Sequence, residues 1–174
     1  MPRRRTLKPL PEQRIPVAVS SNVDPSRPVL DIAAIQRILP HRPPLLLVDA
    51  VLELEPGARC VGVKSVTGNE WFFPAETGAP LTMPTMPGLL IVEALAQLGG
   101  ILLLRDEADP ATKVVYFASV TGVVWHAPVL PGDQLRLAVT VTQRRGRLHK
   151  VRAEARVDGQ LVCEGELGAV LTER

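Results

Sequence analysis

Two polar side chains interrupt a long apolar stretch of the sequence, and their types suit acid–base chemistry. Between Leu89 and Leu104 nearly every residue is apolar or small, and the exceptions are Glu93 and Gln97. Their i, i+4 spacing places both side chains on one face of a helix. A carboxylate in such a helix is costly unless it is hydrogen-bonded or protonated, so Glu93 is a candidate general acid or base. The same spacing also fits a structural pair, in which Glu93 only bonds Gln97 or a strand backbone.

The apolar stretch itself is predicted to form one long, buried helix. It opens at Met86-Pro87-Gly88, and a proline at the start of a helix has a pre-set φ and lacks an N–H that the first turn leaves unused. A helix that is apolar on every side is normally buried. A membrane span is not favoured, because a span needs about 20 apolar residues and this run contains Glu93 and a pair of glycines.

The composition indicates one globular domain that follows a basic arm. With 174 residues and 46% hydrophobic content, the chain can bury a sizeable core of Leu, Val and Ala. Residues 1–30 hold six basic and two acidic side chains, so the rest of the chain is slightly acidic although the whole carries +2. This balance argues against a nucleic-acid-binding surface. The prolines of residues 1–30 predict a flexible arm, and residues 31–174 the folded domain.

Cysteine usage and the N-terminus predict the compartment. Cys60 and Cys163 fall in strand-like runs without metal-ligand spacing, so we expect buried thiols in a reducing environment. No apolar signal segment opens the chain, which favours a cytoplasmic protein. An organelle transit peptide is a minor alternative, suggested by the arginine-rich start. Neither a metal nor a cofactor is expected, and neither nucleic acid nor a membrane is an expected partner.

About six antiparallel strands are predicted around the long helix, which gives an α+β fold. Asp31 is a plausible N-cap for a short helix that ends at Pro40. Strict alternation in the later segments indicates strands with one buried face, and Asp158-Gly159 is typical of a type I′ hairpin turn. A sheet wrapped around the helix satisfies both patterns. The strand-like segments are 45–54, 60–66, 113–119, 123–126, 135–142, 151–157 and 161–171.

Four motifs, in this order, resemble those of the bacterial 3-hydroxyacyl-[acyl-carrier-protein] dehydratases of fatty-acid synthesis. They are residues 39–49, residues 69–73, Met86-Pro87-Gly88 with residues 93–97, and residues 128–135. The match covers roughly residues 31–172. The resemblance implies the hot-dog fold, in which an antiparallel sheet wraps around one long central helix, and an apolar tunnel for an acyl chain.

The resemblance also implies roles for single residues. Glu93 is the implied catalytic carboxylate, and Gln97 would orient it. The backbone N–H of Gly88 would bind the thioester carbonyl, which suits the positive end of a helix dipole. The other implied substrate-binding residues are Phe73, Met86 and Pro87. The implied partner is an acyl carrier protein or coenzyme A thioester, and the implied assembly is a homodimer or larger hot-dog oligomer whose sites use both chains.

One family motif is missing from the sequence. Family members carry Gly-His-Phe-Pro between the Phe-Phe pair and Met-Pro-Gly, and its histidine takes the α-proton. Residues 74–85 contain no histidine and form a longer interval than usual. Counting from Phe73 places Glu76 at that position, whereas counting back from Met86 places Ala79 there. Glu76 is therefore a candidate base if the loop folds inward, and a solvated loop residue otherwise.

The three histidines of the chain are expected to lie outside the site. His41 belongs to the first motif and is interpreted as structural, His126 precedes the last motif, and His149 lies next to a hairpin.

Three functions remain open from the sequence. The first is a dehydratase-like hydro-lyase with altered or weak dehydration, and the order of the motifs favours it. The second is a thioesterase that uses Glu93 to activate water and needs no histidine. The third is a non-catalytic subunit or acyl-thioester binder that pairs with an active paralogue in a hetero-oligomer.

Overall fold

The computed structural model describes residues 27–73, 84–105, 107 and 112–173, which form two helices and a six-stranded antiparallel sheet. In chain order the elements are α1 (Ile32–Ile38), β1 (Ala50–Glu55), β2 (Arg59–Ser65), α2 (Gly88–Leu104), β3 (Lys113–Trp125), β4 (Gln134–Arg145), β5 (Leu148–Val157) and β6 (Gln160–Glu173). Within these residues, no helix has the length and apolarity that crossing a membrane requires.

The strand order in the sheet is β1-β2-β4-β5-β6-β3. Strands β4, β5 and β6 form a meander of tight hairpins. At the second hairpin, Asp158 and Gly159 have φ values of 48° and 83°, and a type I′ turn requires positive φ at both central residues. The predicted turn is therefore confirmed. Strand β3 follows α2 and pairs with β6, so β1 and β3 are the two edges of the sheet.

Helix α2 packs across one face of this sheet and supplies the centre of the core. Its residues from Ala94 to Leu104 are buried. At Gly62 on β2, a Cβ would lie 2.8 Å from Leu98 Cδ1, so glycine lets the helix approach the strand closely. The prediction of one long central helix wrapped by about six antiparallel strands is confirmed. This arrangement is the hot-dog fold that the resemblance implied.

The prediction that the helix is buried on every side is wrong for its first turns. Leu89 is 75% exposed, and the side chain of Glu93 is 40% exposed. In the same turns Ile91 is buried in the core, so the start of the helix buries one side and exposes the other. Glu93 is therefore accessible and not enclosed in the core.

Two predicted strand boundaries are also wrong. The strand expected over 45–54 begins at Ala50, because the Leu47 N–H bonds a side chain of α2 and not a neighbouring strand. The segments predicted over 113–119 and 123–126 form one continuous strand, β3, which ends at Trp125. A register shift between Thr121 and Val124, with φ 61° at Gly122, bends this strand without ending it.

Residues 27–31 link the N-terminal part of the chain to the sheet. Leu30 exchanges two backbone hydrogen bonds with Val51 of β1, 3.2 Å and 2.9 Å long. Asp31 then caps α1, since the Ala34 N–H donates to Asp31 Oδ1 at 2.8 Å, as predicted. Residues 1–26 of the predicted arm lie outside the described residues, and the arm and its boundary stay a prediction.

The two cysteines are free and buried, as predicted. Cys60 lies on β2 with no exposed surface, and Cys163 lies on β6 with 1% exposed. Burial raises the pKa of the Cys60 thiol to about 12 and that of Cys163 to about 11, with a further increase at Cys163 from the charge of Glu164. Both thiols are therefore protonated at neutral pH, and protonated thiols are poor nucleophiles.

A buried ion pair shapes the segment that follows β2. Lys64 Nζ donates to Glu70 Oε1 at 2.5 Å and to the Ser65 carbonyl at 2.7 Å. The two charged side chains are only 7% and 14% exposed. Because each charge offsets the desolvation of the other, the pair holds residues 65–70 in a turn.

Replacing Lys64 by methionine is expected to lower the free energy of unfolding by about 3 kcal/mol, since Glu70 loses its counter-charge in a mostly buried position. Arg59→Met in the same strand is the matched control, because its partner Glu53 is 45% exposed. An exposed ion pair contributes roughly 0–1 kcal/mol. Urea unfolding of both variants measures the difference, and equal losses would contradict a special role for the Lys64 pair.

Candidate active site

The side-chain amide of Gln97 joins helix α2 to the segment that precedes β1. Its Nε2 donates to the Leu45 carbonyl at 2.6 Å and to Glu93 Oε1 at 2.9 Å. Its Oε1 accepts from the Leu47 N–H at 2.9 Å. Gln97 is 2% exposed, so these bonds form away from water. A buried amide with such a full set of partners is rigid, and it fixes the orientation of everything it bonds.

Glu93 lies one turn before Gln97, at the accessible end of the helix. Gln97 holds Oε1, and the side chain is 40% exposed. The structure thus combines a fixed carboxylate with an open approach, which an acid–base residue needs. The predicted i, i+4 pair is confirmed as a hydrogen bond. The catalytic role of Glu93 stays a prediction.

His41 lies beside this carboxylate, and the prediction that it is outside the site is wrong. Its Nε2 is 3.5 Å from Glu93 Oε1, and its side chain is 35% exposed. The physical reason is tertiary: Gln97 bonds the segment at Leu45 and Leu47, and this segment brings His41 over the helix. The only hint in the sequence is that His41 and this segment belong to one motif.

The guanidinium of Arg42 fixes the backbone around His41. Nη1 donates to the carbonyls of Leu39 at 2.9 Å and His41 at 2.7 Å, and Nη2 donates to the Gln36 carbonyl at 3.0 Å. One side chain therefore ties the end of α1 to the turn that carries the histidine.

The other two histidines do not lie beside Glu93, although His126 lines the cleft at Gly88 that is described below. His126 follows β3, and its Nε2 is 3.1 Å from Glu164 Oε1 on β6. His149 lies near the β4–β5 hairpin, where burial and the charge of Arg144 lower its pKa. Neither is an ion-pair partner of Glu93 among the described residues.

A cleft of about 520 Å³ opens at the start of α2. A Cβ at Gly88 would lie 2.4 Å from Trp125 Nε1, so only glycine lets the indole lie against the helix start. The first N–H groups of a helix have no partner within it and can bind a carbonyl oxygen. Trp125 is a cleft residue that the sequence analysis missed, and only the path of β3 places it there. The lining includes Met86, Gly88, Leu89, Trp125, His126 and Pro128.

A single chain does not bring Gly88 and Glu93 into one site. Glu93 is not among the residues that line the cleft at Gly88. Five residues of helix separate the two positions, which corresponds to about 7.5 Å of rise and a rotation of roughly 140°. The predicted oxyanion donor and the predicted carboxylate therefore face different directions in one chain.

The remaining predicted site residues take several positions. Met86 is 3% exposed and its N–H donates to the Val129 carbonyl at 2.8 Å, while Pro87 is the N-cap residue of α2. Phe73 is half-buried, with its ring 4.7 Å from that of Phe72 in an edge-on arrangement. Glu76 lies outside the described residues, and its predicted role stays untested.

Comparison with known proteins identifies the family. A family model described as a FabA-like domain matches residues 39–166. The 3-hydroxyacyl-[acyl-carrier-protein] dehydratase FabZ of Anaeromyxobacter sp. (strain Fw109-5) is 47% identical over 152 residues, which cover 86% of this chain and 94% of that protein. The protein of the same name from Geobacillus thermodenitrificans (strain NG80-2) is 47% identical over 146 residues, covering 84% and 98%. The chain belongs to the FabA-like family of 3-hydroxyacyl-[acyl-carrier-protein] dehydratases.

Solved structures support the fold. A chain of the dehydratase heterocomplex ApeI:P from Xenorhabdus doucetiae aligns with a TM-score of 0.66 at 17% identity, covering 80% of this chain and 91% of that one. A thioesterase superfamily member from Thermus thermophilus aligns with a TM-score of 0.55 at 18% identity, covering 70% and 85%. At these identities the likeness concerns the fold alone.

Family membership confirms the resemblance that the four motifs indicated. It leaves the roles of single residues as predictions, including the consequence of a 74–85 segment without histidine.

Gly88→Ala is expected to lower the free energy of unfolding by about 1–2 kcal/mol, because the new methyl group would overlap the indole of Trp125. In the double variant Gly88→Ala, Trp125→Ala the overlap is removed, so the alanine at position 88 should then cost little. A double-mutant cycle by urea unfolding measures this coupling. Additive losses in the double variant would show that Trp125 does not require glycine at position 88.

Proposed function

We propose that the chain is a dehydratase that removes water from 3-hydroxyacyl thioesters, with Glu93 as an acid–base residue. The observation that carries this proposal is an accessible carboxylate whose orientation is fixed by the buried amide of Gln97. The relatives that are 47% identical over most of the chain are named as 3-hydroxyacyl-[acyl-carrier-protein] dehydratases. Their names support a 3-hydroxyacyl thioester as the substrate.

The reaction needs two proton transfers and a donor to the thioester oxygen. A base takes the proton from C2, its electron pair forms the C2–C3 double bond, and the hydroxyl on C3 leaves as water after taking a proton from an acid. Negative charge develops on the thioester carbonyl oxygen as the C2 proton leaves. The Gly88 N–H, at the positive end of the α2 dipole, is suited to bind this oxygen.

We further propose that the complete site uses two chains. In one chain the cleft at Gly88 does not include Glu93, so a second copy is needed to bring the two groups together. Strand β3 offers the surface for that copy, because it is an edge strand with exposed apolar side chains, and such edges pair readily. The exposed apolar residues on β3 are Tyr116, Val120, Val124 and Trp125.

An acyl carrier protein is the proposed carrier of the acyl group, since the relatives are named for that substrate. A coenzyme A thioester is the alternative, and rates on both carriers distinguish the two. The cytoplasmic location expected from the sequence stays a prediction.

The thioesterase alternative has weaker support. The thioesterase superfamily neighbour is 18% identical and shares only the fold, whereas the dehydratase relatives match over most of their length. The subunit alternative draws on the dehydratase heterocomplex among the fold neighbours. A purified homo-oligomer of this chain that dehydrates substrate without any other protein would exclude that alternative.

Glu93→Gln is expected to reduce kcat for dehydration by about 10²–10⁴-fold, because the amide cannot exchange a proton with substrate. Formation of the conjugated enoyl thioester from a 3-hydroxyacyl-acyl carrier protein measures it, with thiol release followed in parallel. The matched control is Glu166→Gln on the sheet, which is expected to retain wild-type rates. Unchanged dehydration in Glu93→Gln would refute the assignment, and wild-type thiol release without enoyl product would favour the thioesterase.

Val120→Glu is expected to convert the oligomer to a monomer and to abolish turnover, since it would place a charge in an apolar strand–strand interface. Thr140→Glu, at an exposed position of β4, is the control and should leave the assembly intact. Light scattering after size-exclusion chromatography gives the mass of each variant. A monomeric wild type with full activity would contradict the two-chain site.

A further inference from the structure

The described part of the chain places one histidine at the proposed acid–base carboxylate. His41 Nε2 lies 3.5 Å from Glu93 Oε1, and the two side chains are 35% and 40% exposed. Residues 74–85, between the Phe-Phe pair and Met86, contain no histidine. A dehydration site needs a second proton-carrying group near Glu93, and His41 is the histidine that the described residues place next to this carboxylate.

The position of His41 is fixed from two directions. Arg42 bonds the carbonyls of Leu39, Gln36 and His41 itself, so the turn cannot move independently of α1. Gln97 bonds the backbone of the same segment at Leu45 and Leu47, and it also bonds Glu93. The same amide thus positions the carboxylate and the segment that carries the imidazole, and this shared support maintains their separation.

The two nitrogens of His41 have different surroundings. Nδ1 is buried and has no hydrogen-bond partner among the described residues. Nε2 faces the carboxylate. No described group at Nδ1 therefore fixes the tautomer, and Nε2 is the nitrogen that can exchange a proton with Glu93 or with a substrate.

We propose that His41 is the second acid–base residue of this site, an inference that rests on the proposed dehydratase function. Neutral His41 takes the C2 proton at Nε2, and the C–H electron pair becomes the C2–C3 π bond. The C3–O bond breaks, and the departing oxygen takes the proton of the Glu93 carboxyl group and leaves as water. The proton on His41 then passes to the Glu93 carboxylate, which restores both groups. The products are the enoyl thioester and one water molecule.

The short separation between the two groups explains how the site can be reset. A proton taken from C2 by one side chain must return to the other before the next turnover. At 3.5 Å the two groups lie just beyond hydrogen-bond distance, so a small movement of either side chain brings them close enough for this transfer. The other two histidines are not ion-pair partners of Glu93 among the described residues. His126 is paired with Glu164, and His149 lies near the β4–β5 hairpin.

The test compares His41→Gln and His41→Ala with wild type on a 3-hydroxyacyl-acyl carrier protein. Glutamine keeps the size and a hydrogen-bond donor beside Glu93 but cannot accept a proton. Both variants are expected to lower kcat at least about 10²-fold with KM changed only a few-fold, because binding groups are intact. Added imidazole should raise the rate of His41→Ala but not of His41→Gln. His149→Gln is the control and should match wild type.

The outcomes separate this inference from the proposed function. Near-wild-type kcat in His41→Gln, with Glu93→Gln inactive, would keep the dehydratase and reduce His41 to a positioning role, which overturns the inference. Loss of activity in His126→Gln but not in His41→Gln would overturn it as well. A wild type without any dehydration would overturn both proposals. If His41→Ala does not fold, His41→Gln decides alone, and a larger kinetic isotope effect with a C2-deuterated substrate in that variant is then the supporting result.

Discussion

The buried amide of Gln97 is the interaction on which the candidate site depends. Residues 45–48, before β1, run close to α2 without pairing to a strand, so their buried backbone groups need partners from elsewhere. Gln97 supplies them at Leu45 and Leu47, and the same amide group also bonds Glu93. Without this amide, a carbonyl and an N–H would be left unpaired next to the core, and each costs about 1–3 kcal/mol. Stability and the geometry of the site therefore share one side chain.

A second constraint comes from the two sides of the first turns of α2. The later turns fill the core, whereas the first turns bury Ile91 on one side and leave Leu89 and Glu93 accessible on the other. This arrangement gives a substrate access to the carboxylate without opening the core. Helix rotation turns Gly88 and Glu93 roughly 140° apart, which is why the arrangement in one chain favours a site shared with a second copy.

The charges of the sheet surface are distributed differently along its strands. On β5 the outward side chains form ion pairs, with Glu154 between Arg152 and Arg156. Such an exposed, paired surface is suited to water and contributes little to stability. Strand β3 instead exposes Tyr116 and Trp125 at a sheet edge. Of these two surfaces, the edge has the composition expected of a contact with another protein chain.

The resemblance to the family, the central helix, the hairpin at Asp158-Gly159 and the Glu93–Gln97 pair could all be predicted from the amino-acid sequence. These features depend on local periodicity, on turn chemistry or on spacing within one helix, so neighbouring residues are enough to define them. Three features became visible only in the folded chain: His41 lies at Glu93, Trp125 lies on Gly88, and Leu89 and Glu93 of α2 are exposed. Each of these contacts joins residues far apart in the chain, or depends on where the sheet ends, and no local pattern encodes that information.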